Sequence, residues 1–282
     1  MKLRYAYNTN GCAHHRLPDA LDLIARAGYD GVALTLDWHH LDPYARDWER
    51  RSREVGDRLR DLGLSCVIET GARFLLSAAE KHEPTLINPQ PAARARRVDF
   101  LRRAIDIADI LEAETVSFWA GVRQATVNDE EAFAYLTEGV VAVTDYADER
   151  GVSVSLEPEP GMLIETNADY RRLLAAHSRL QGRLSLALDL GHVWVTGEQE
   201  PAESVYQYAD HLGTVSIEGM NRGVHLHLPL HEGDMAIPPL LRALRAVNFR
   251  RLVCVELSRE SPRAHLAIPE SLHFLRAAED AL

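Results

Sequence analysis

Eight short β-type runs recur along the chain, mostly at intervals of roughly 25 to 40 residues, with amphipathic stretches between them. The runs are LRYAY (3–7), VALTL (32–36), SCVIE (65–69), TVSFW (115–119), VSVSLE (152–157), LSLALD (184–189), GTVSI (213–217) and LVCVE (252–256). PDALDLIARAG shows how the intervening segments are punctuated. Pro18 suits a first helical turn, where its missing N–H costs nothing, and Gly28 suits the stop. ARARRVDFLRRAIDIADIL, EEAFAYLTEGVVAVTDYADERG and IPPLLRALRAVN read the same way. Eight strand–helix units in 282 residues predict an α/β fold, a single (β/α)8 barrel over 1–282 with one core and no linker. A doubly wound sheet uses the same units, but it usually carries a glycine-rich phosphate turn after its first strand. NTNGCAHH lacks that spacing.

With 46% of its residues hydrophobic, the chain can bury a large core. No apolar run is long enough to span a bilayer, and MKLRYAYNTNG lacks the apolar stretch of a signal peptide. A cytoplasmic protein with no membrane partner is expected. Cys12, Cys66 and Cys254 lie far apart, the last two in apolar runs, which predicts reduced core thiols rather than disulfides or a thiolate metal site. A formal charge of −11 repels nucleic acid, so none is expected as a partner.

In a barrel of this kind, chemistry sits where strands end and loops lead into the next helix. Those ends carry Asp37, Glu69, Trp119, Glu157, Asp189 and Glu256. Glu157, Asp189 and Glu256, meeting at one mouth, would repel one another unless protons or a cation neutralised them, which points to a divalent metal. Oxygen ligands with one or more imidazoles suit Mn, Mg, Co or Zn. The competing reading of each acid is a cap on the next helix. His192, three residues after Asp189, is placed to ligate or to donate to a substrate hydroxyl. Arg222 falls in the loop after the seventh run, where a cation can hold a substrate oxygen; its bland alternative is a surface arginine.

The first half adds LDWHHLDP, with His39, and IETGARFLLSAAEKHEPTL, with Arg73, Lys81 and His82. A loop this long, carrying its own FLL segment, is expected to form a lid or pocket wall. Trp38 and Trp119 can stack on a sugar-like ring or fill the rim. In VSIEGMNRGVHLHLPLHEGD, His225 and His227 alternate with Val224, Leu226 and Leu228, so an extended segment presents both on one side.

LEPEPG, LDLGHVW, GVHLHLPLHEGD and VELS, set in the eight-unit rhythm, resemble the xylose-isomerase-like sugar isomerase/epimerase superfamily along the whole chain. Apurinic-site endonucleases and inosose dehydratases share that barrel. GYDGVALTLDWHHLDP and ETGARFLL…KHEPTL are similar to a subgroup described as sugar phosphate isomerases. The resemblance implies a metal held by Glu, Asp, His and Glu from strands five to eight, the two glutamates also forming an acid/base pair across the substrate. Carried over by motif, the acids are Glu157, Asp189 and Glu256, with His192 and Arg222 against substrate. Strand seven departs from the pattern. Ser216 occupies the histidine ligand position, and Gly219 stands where an acid is common. His227 is the imidazole chosen to replace the missing ligand, with loop architecture as its alternative role.

The expected function is a metal-dependent isomerase or epimerase of a small sugar, sugar phosphate or cyclitol-like ketone, working through a metal-stabilised enediolate. A dehydratase using the same chemistry is a close variant. Substrate contacts are expected from His192, Arg222, Arg73, His39 and Trp119, and a homo-oligomer is possible. Two other classes compete: a metal-impaired barrel that only binds a metabolite, and a metal-dependent phosphodiesterase of the apurinic-site endonuclease type, which the net acidity disfavours.

Overall fold

The structure is a computed structural model describing residues 2–282. Eight parallel strands close into a barrel: β1 (Arg4–Asn8), β2 (Gly31–Thr35), β3 (Ser65–Glu69), β4 (Val116–Trp119), β5 (Val154–Glu157), β6 (Leu184–Asp189), β7 (Leu212–Ile217) and, after a hairpin of β8 (Gly219–Asn221) and β9 (Val224–Leu228), β10 (Leu252–Val255). The ring closes where β1 pairs with β10 on one side and β2 on the other. Every expected strand lies within two residues of its place. The antiparallel hairpin stands outside the ring and contains the histidine-rich segment.

Local chemistry accounts for the helix boundaries. In α1 (Leu17–Ala27), Pro18 sits in the first turn and Gly28 closes the helix at φ 96°, a left-handed conformation that favours glycine. The long α3 (Pro91–Leu111) covers strands β3 and β4, and α4 (Asp129–Arg150), which packs against α3, opens on a capping box of Asn128 and Glu131. Short α6 (Leu190–Thr196) and α7 (Pro201–Gln207) follow β6. The C-terminal α9 (Ala264–Asp280) packs on α1.

Two cores result. The larger lies between strands and helices, and a small one of Ala6, Ala33, Val67, Leu252 and Cys254 lies inside the ring. Strand side chains alternate faces, so residues two positions beyond Ala6, Ala33, Val67 and Cys254 point the same way. Those residues are Asn8, Thr35, Glu69 and Glu256, and all four line the cavity at the C-terminal mouth. The strand period itself therefore aims the site. All three cysteines are buried and free. Among the described residues, no helix is long and apolar enough to cross a membrane.

Candidate active site

The mouth opens on a cavity of about 350 Å³, within the roughly 300–1,000 Å³ typical of small-molecule sites. Glu157 and Glu256 enter from β5 and the end of β10; β6 and β7 lie between them in the ring. Asp189, the last residue of β6, sits just behind that surface, 2% exposed. Its Oδ1 accepts the backbone N–H of His192 at 2.8 Å and so caps α6, while Oδ2 has no hydrogen-bond partner. The capping and the ligand readings of this acid are compatible, one oxygen to each.

Histidine orientation follows from carbonyls, which only accept. His227 Nδ1 donates to the Glu256 carbonyl at 3.1 Å, and His192 Nδ1 donates to the Pro158 carbonyl at 3.1 Å. Each bond fixes an N–H on Nδ1, and the Nε2 of His192 lies 3.1 Å from the Nε2 of His225, so those two rings are hydrogen-bonded to each other. Asp189, His227 and Glu256 bring ligand atoms within 4.8 Å of one another, and so do Glu157, Glu159 and His192. His192 links the two groups: Nε2 lies 3.7 Å from Asp189 Oδ2, and Nδ1 lies 3.6 Å from Glu157 Oε1. Asn10 Nδ2 donates to Glu256 Oε1 at 2.8 Å and steers that carboxylate.

Residues 21–278 match the family model described as the xylose isomerase-like TIM barrel. The chain belongs to this family. No curated protein matches it by sequence. Among solved structures, 3-keto-D-glucoside 4-epimerase YcjR of E. coli in its apo form is similar at 16% identity and TM-score 0.76, over 98% of this chain and 100% of that one. The IOLI protein with a bound zinc atom is similar at 16% identity and TM-score 0.80, over 99% of each chain. D-allulose 3-epimerase of Methylomonas sp. in complex with D-allulose gives 19% identity and TM-score 0.73, over 98% and 97%. At these identities the likeness is one of fold.

This xylose isomerase-like barrel holds its mouth acids in costly surroundings. Burial pushes the Glu157 carboxyl well above the usual carboxylate range, reinforced by Glu159 and Glu256. Glu69 moves the same way, through burial and then Glu256. For Asp189, burial alone would raise the pKa, but His192 and His227 outweigh it and the net direction is down. His192 mirrors this: burial is overcome by Asp189, Glu159 and Glu256, which hold its pKa above the ordinary value. Burial, then His192 and His227, lowers His225 to about 4 and keeps it neutral.

The donor set fits a divalent cation. Asp189, with Oδ2 unpartnered, the Glu256 carboxylate and the His227 imidazole bring ligand atoms together, and their oxygen-rich chemistry suits the hard to borderline ions. Glu218, just past β7, is fully buried with neither carboxylate oxygen partnered, 4.0 Å from His227 Nδ1. It packs over Gly191, where a Cβ would overlap its Oε1, so the glycine is required for this approach. Ser216 faces Asp189 across the β6–β7 register, 7% exposed, at the position where the family resemblance places an imidazole.

The barrel gathers Glu157, Asp189, Glu256, His192, His227, Arg73 and Trp119 at the mouth, with Asp189 recessed. It corrects the expectation of one shared cluster in one detail: Glu157 groups with Glu159 and His192 rather than directly with Asp189 and Glu256. Two other expected substrate contacts lie elsewhere. Arg222 stacks on the Trp194 ring at 3.8 Å and pairs with Glu200 at 2.7 Å, partners on and after α6 that hold it outside the cavity. His39 packs between Trp38 and His40, 3.8 Å from Asp37, and does not line the cavity. Trp38 is 69% exposed, away from the cavity. Sequence reasoning missed Asn10, Glu159 and Glu218. Glu159 had a readable signal, two residues after Glu157 in LEPEP; Asn10 had none, because its partner Glu256 is far away in the chain.

Proposed function

We propose that the chain is a divalent-metal-dependent isomerase or epimerase of a small polyhydroxylated carbonyl compound. The observation that carries this reading is the convergence of Asp189, His227 and Glu256 ligand atoms within 4.8 Å beside an unpartnered, buried Asp189 oxygen. The zinc named for the IOLI structure and the D-allulose named for the epimerase support the same class of ion and ligand. Asp189, Glu256 and the His227 imidazole would hold the cation, the hairpin imidazole taking the place of the one Ser216 lacks, with Glu157 beside them in the group it forms with Glu159 and His192. A divalent cation supplies Lewis acidity toward the substrate's oxygens and acidifies the C–H beside a carbonyl.

The protein's own groups then handle the proton. Glu256, held by Asn10, and Glu157, raised by burial, stand at strand ends on either side of β6 and β7, so a substrate between them meets one carboxyl on each side. One takes the proton and the other returns it, and the roles exchange with the direction of reaction. His192, its ring fixed by the Pro158 carbonyl, lines the cavity with His225, 3.1 Å from Nε2 to Nε2, and this pair can hold a substrate hydroxyl. Trp119 supplies an apolar wall.

Solvent exchange tests the reading. With Mn added, incubation of candidate ketoses in D2O should place deuterium on the carbon beside the carbonyl, followed by NMR, and Glu256→Gln should abolish it. Ser216 favours a second reading, a metal-impaired barrel that binds a metabolite without turnover. Purified protein that retains no divalent ion and exchanges no proton would decide for that second reading.

A further inference from the structure

The cavity is lined by charges of both signs. Glu69, Glu157, Glu159 and Glu256 line it from the strand ends and the loop after β5, and so do Arg73 and Lys81, from the long 70–90 loop, and Arg259, from the turn after β10. Acidic residues outnumber basic ones on this chain, 42 to 31. Arg183, Arg222, Arg263 and Arg276 each pair with a carboxylate outside the cavity. Among the described residues, none of the three cavity cations has a carboxylate within 4.0 Å. Arg73 instead donates to the Asn10 carbonyl at 3.2 Å, which anchors one end of its guanidinium.

A fourth cation stands behind this wall. Arg97 is fully buried, and its guanidinium lies 4.4 Å from the Trp119 ring. Nη2 donates to the Thr70 carbonyl at 3.0 Å, while Nε and Nη1 have no partner. Burial lowers its pKa to about 9, which still leaves it charged at neutral pH. An unpaired buried charge is costly, and its field extends through a poorly screening interior toward the cavity.

We infer that Arg73, Lys81 and Arg259 form a subsite for an anionic group on the substrate, a carboxylate or a phosphate. The inference rests on the proposed isomerase reading and narrows its substrate class to sugar acids and sugar phosphates. Binding polarity follows from charge. The carboxylate wall repels an anion, so the carbonyl end goes to Asp189, His227 and Glu256 and the anionic end to the three cations. An anion also supplies the partners these cations lack within the protein, and such charge-assisted bonds are among the stronger polar contacts.

Calorimetry on the Mn-loaded protein at low salt tests this with three ketohexose probes: D-fructose, D-fructose 6-phosphate and 5-keto-D-gluconate. At least one anionic probe should bind roughly tenfold or more tightly than D-fructose, and added salt should narrow the gap. The tighter of the two names the group, phosphate or carboxylate. Arg73→Met, Lys81→Met and Arg259→Met should each weaken that anion far more than D-fructose, with unchanged circular dichroism as the folding control. Anions that bind no better than D-fructose, or variants that bind them unchanged, would overturn the subsite. The D2O exchange assay separates the two claims. Exchange on D-fructose without anion preference leaves the isomerase reading standing and removes the subsite; charge-dependent binding without exchange on any probe does the reverse.

Discussion

The two ends of the barrel treat buried charge in opposite ways. At the N-terminal end, Glu279 is 3% exposed and fully employed, accepting from Leu3 N at 2.7 Å, the Tyr5 hydroxyl at 3.3 Å and Arg276 at 3.2 Å. Glu114 is held by Arg4 at 2.6 Å and by Leu252 N at 3.0 Å. At the C-terminal mouth, Asp189 keeps one bare oxygen and Glu218 two. Most buried polar groups in proteins are satisfied, so a cluster of exceptions at one end marks where something else completes the bonding. The floor is built for stability and the mouth for a ligand.

The sharpest way to break that contrast is to make the same change at both ends. Glu256→Gln should lower turnover by roughly 10³-fold or more, since general acid–base groups contribute about 10²–10⁴. Its melting temperature in the metal-free state should stay close to wild type. A variant that kept full exchange activity in D2O would remove Glu256 from the proton-transfer role. The next effect in size belongs to the metal. His227→Ala should weaken Mn or Zn binding by at least roughly tenfold, read by calorimetry or metal content. Adding Ser216→His to that variant should recover affinity, because it returns an imidazole to the β7 position beside Asp189. Unchanged metal binding in His227→Ala would return that histidine to a purely architectural role.

What could be read in advance follows the same division. The strands were legible because an apolar run bounded by turn residues is a local signal, and the period of two then aims Glu69, Glu157, Asp189 and Glu256 at the mouth. The imidazole pair was legible too: the alternation of His225 and His227 survives as β9, with both lining the cavity. Directions set by distant partners were not. Arg222 was placed on the right loop, but Trp194 and Glu200 decide where it points, and nothing near residue 222 announces them. Asn10 escaped for the same reason. The unpaired state of Glu218 is likewise invisible without coordinates, because it depends on Gly191 leaving room beneath the hairpin.

At the floor, Glu279→Gln exchanges a fully used carboxylate for an amide. It should destabilise the fold by ~2–3 kcal/mol, through a broken buried ion pair and a mismatched hydrogen bond. For a chain this size that lowers the melting temperature by roughly 5 °C or more. Turnover per folded molecule should stay at the wild-type level. Differential scanning calorimetry with an activity assay on the same sample separates the two quantities. A large loss of specific activity without loss of stability would erase the division between the ends.

The smallest effect is a slope. Burial raises the carboxyls of Glu69, Glu157 and Glu218 well above their ordinary range. An acid whose folded pKa exceeds its unfolded value stabilises the fold fully below the unfolded pKa, near 4.3 for glutamate, and loses that contribution as pH rises through the folded value. His225, held to about 4, acts with the opposite sign, but only between its unfolded value near 6.5 and about 4. Above pH 6.5 the carboxyl trend is therefore free of it, and the raised His192 adds to that trend in sign. Metal-free protein in a chelator should melt at progressively lower temperature from pH 6.5 to 8. With Mn the slope should flatten or reverse, since ligands must shed protons to bind and affinity grows with pH. Glu218→Gln should shallow the metal-free slope by removing one of the raised acids. Equal slopes with and without Mn would mean that no ion answers the charge gathered at the mouth, and the contrast between the two ends would lose its functional meaning.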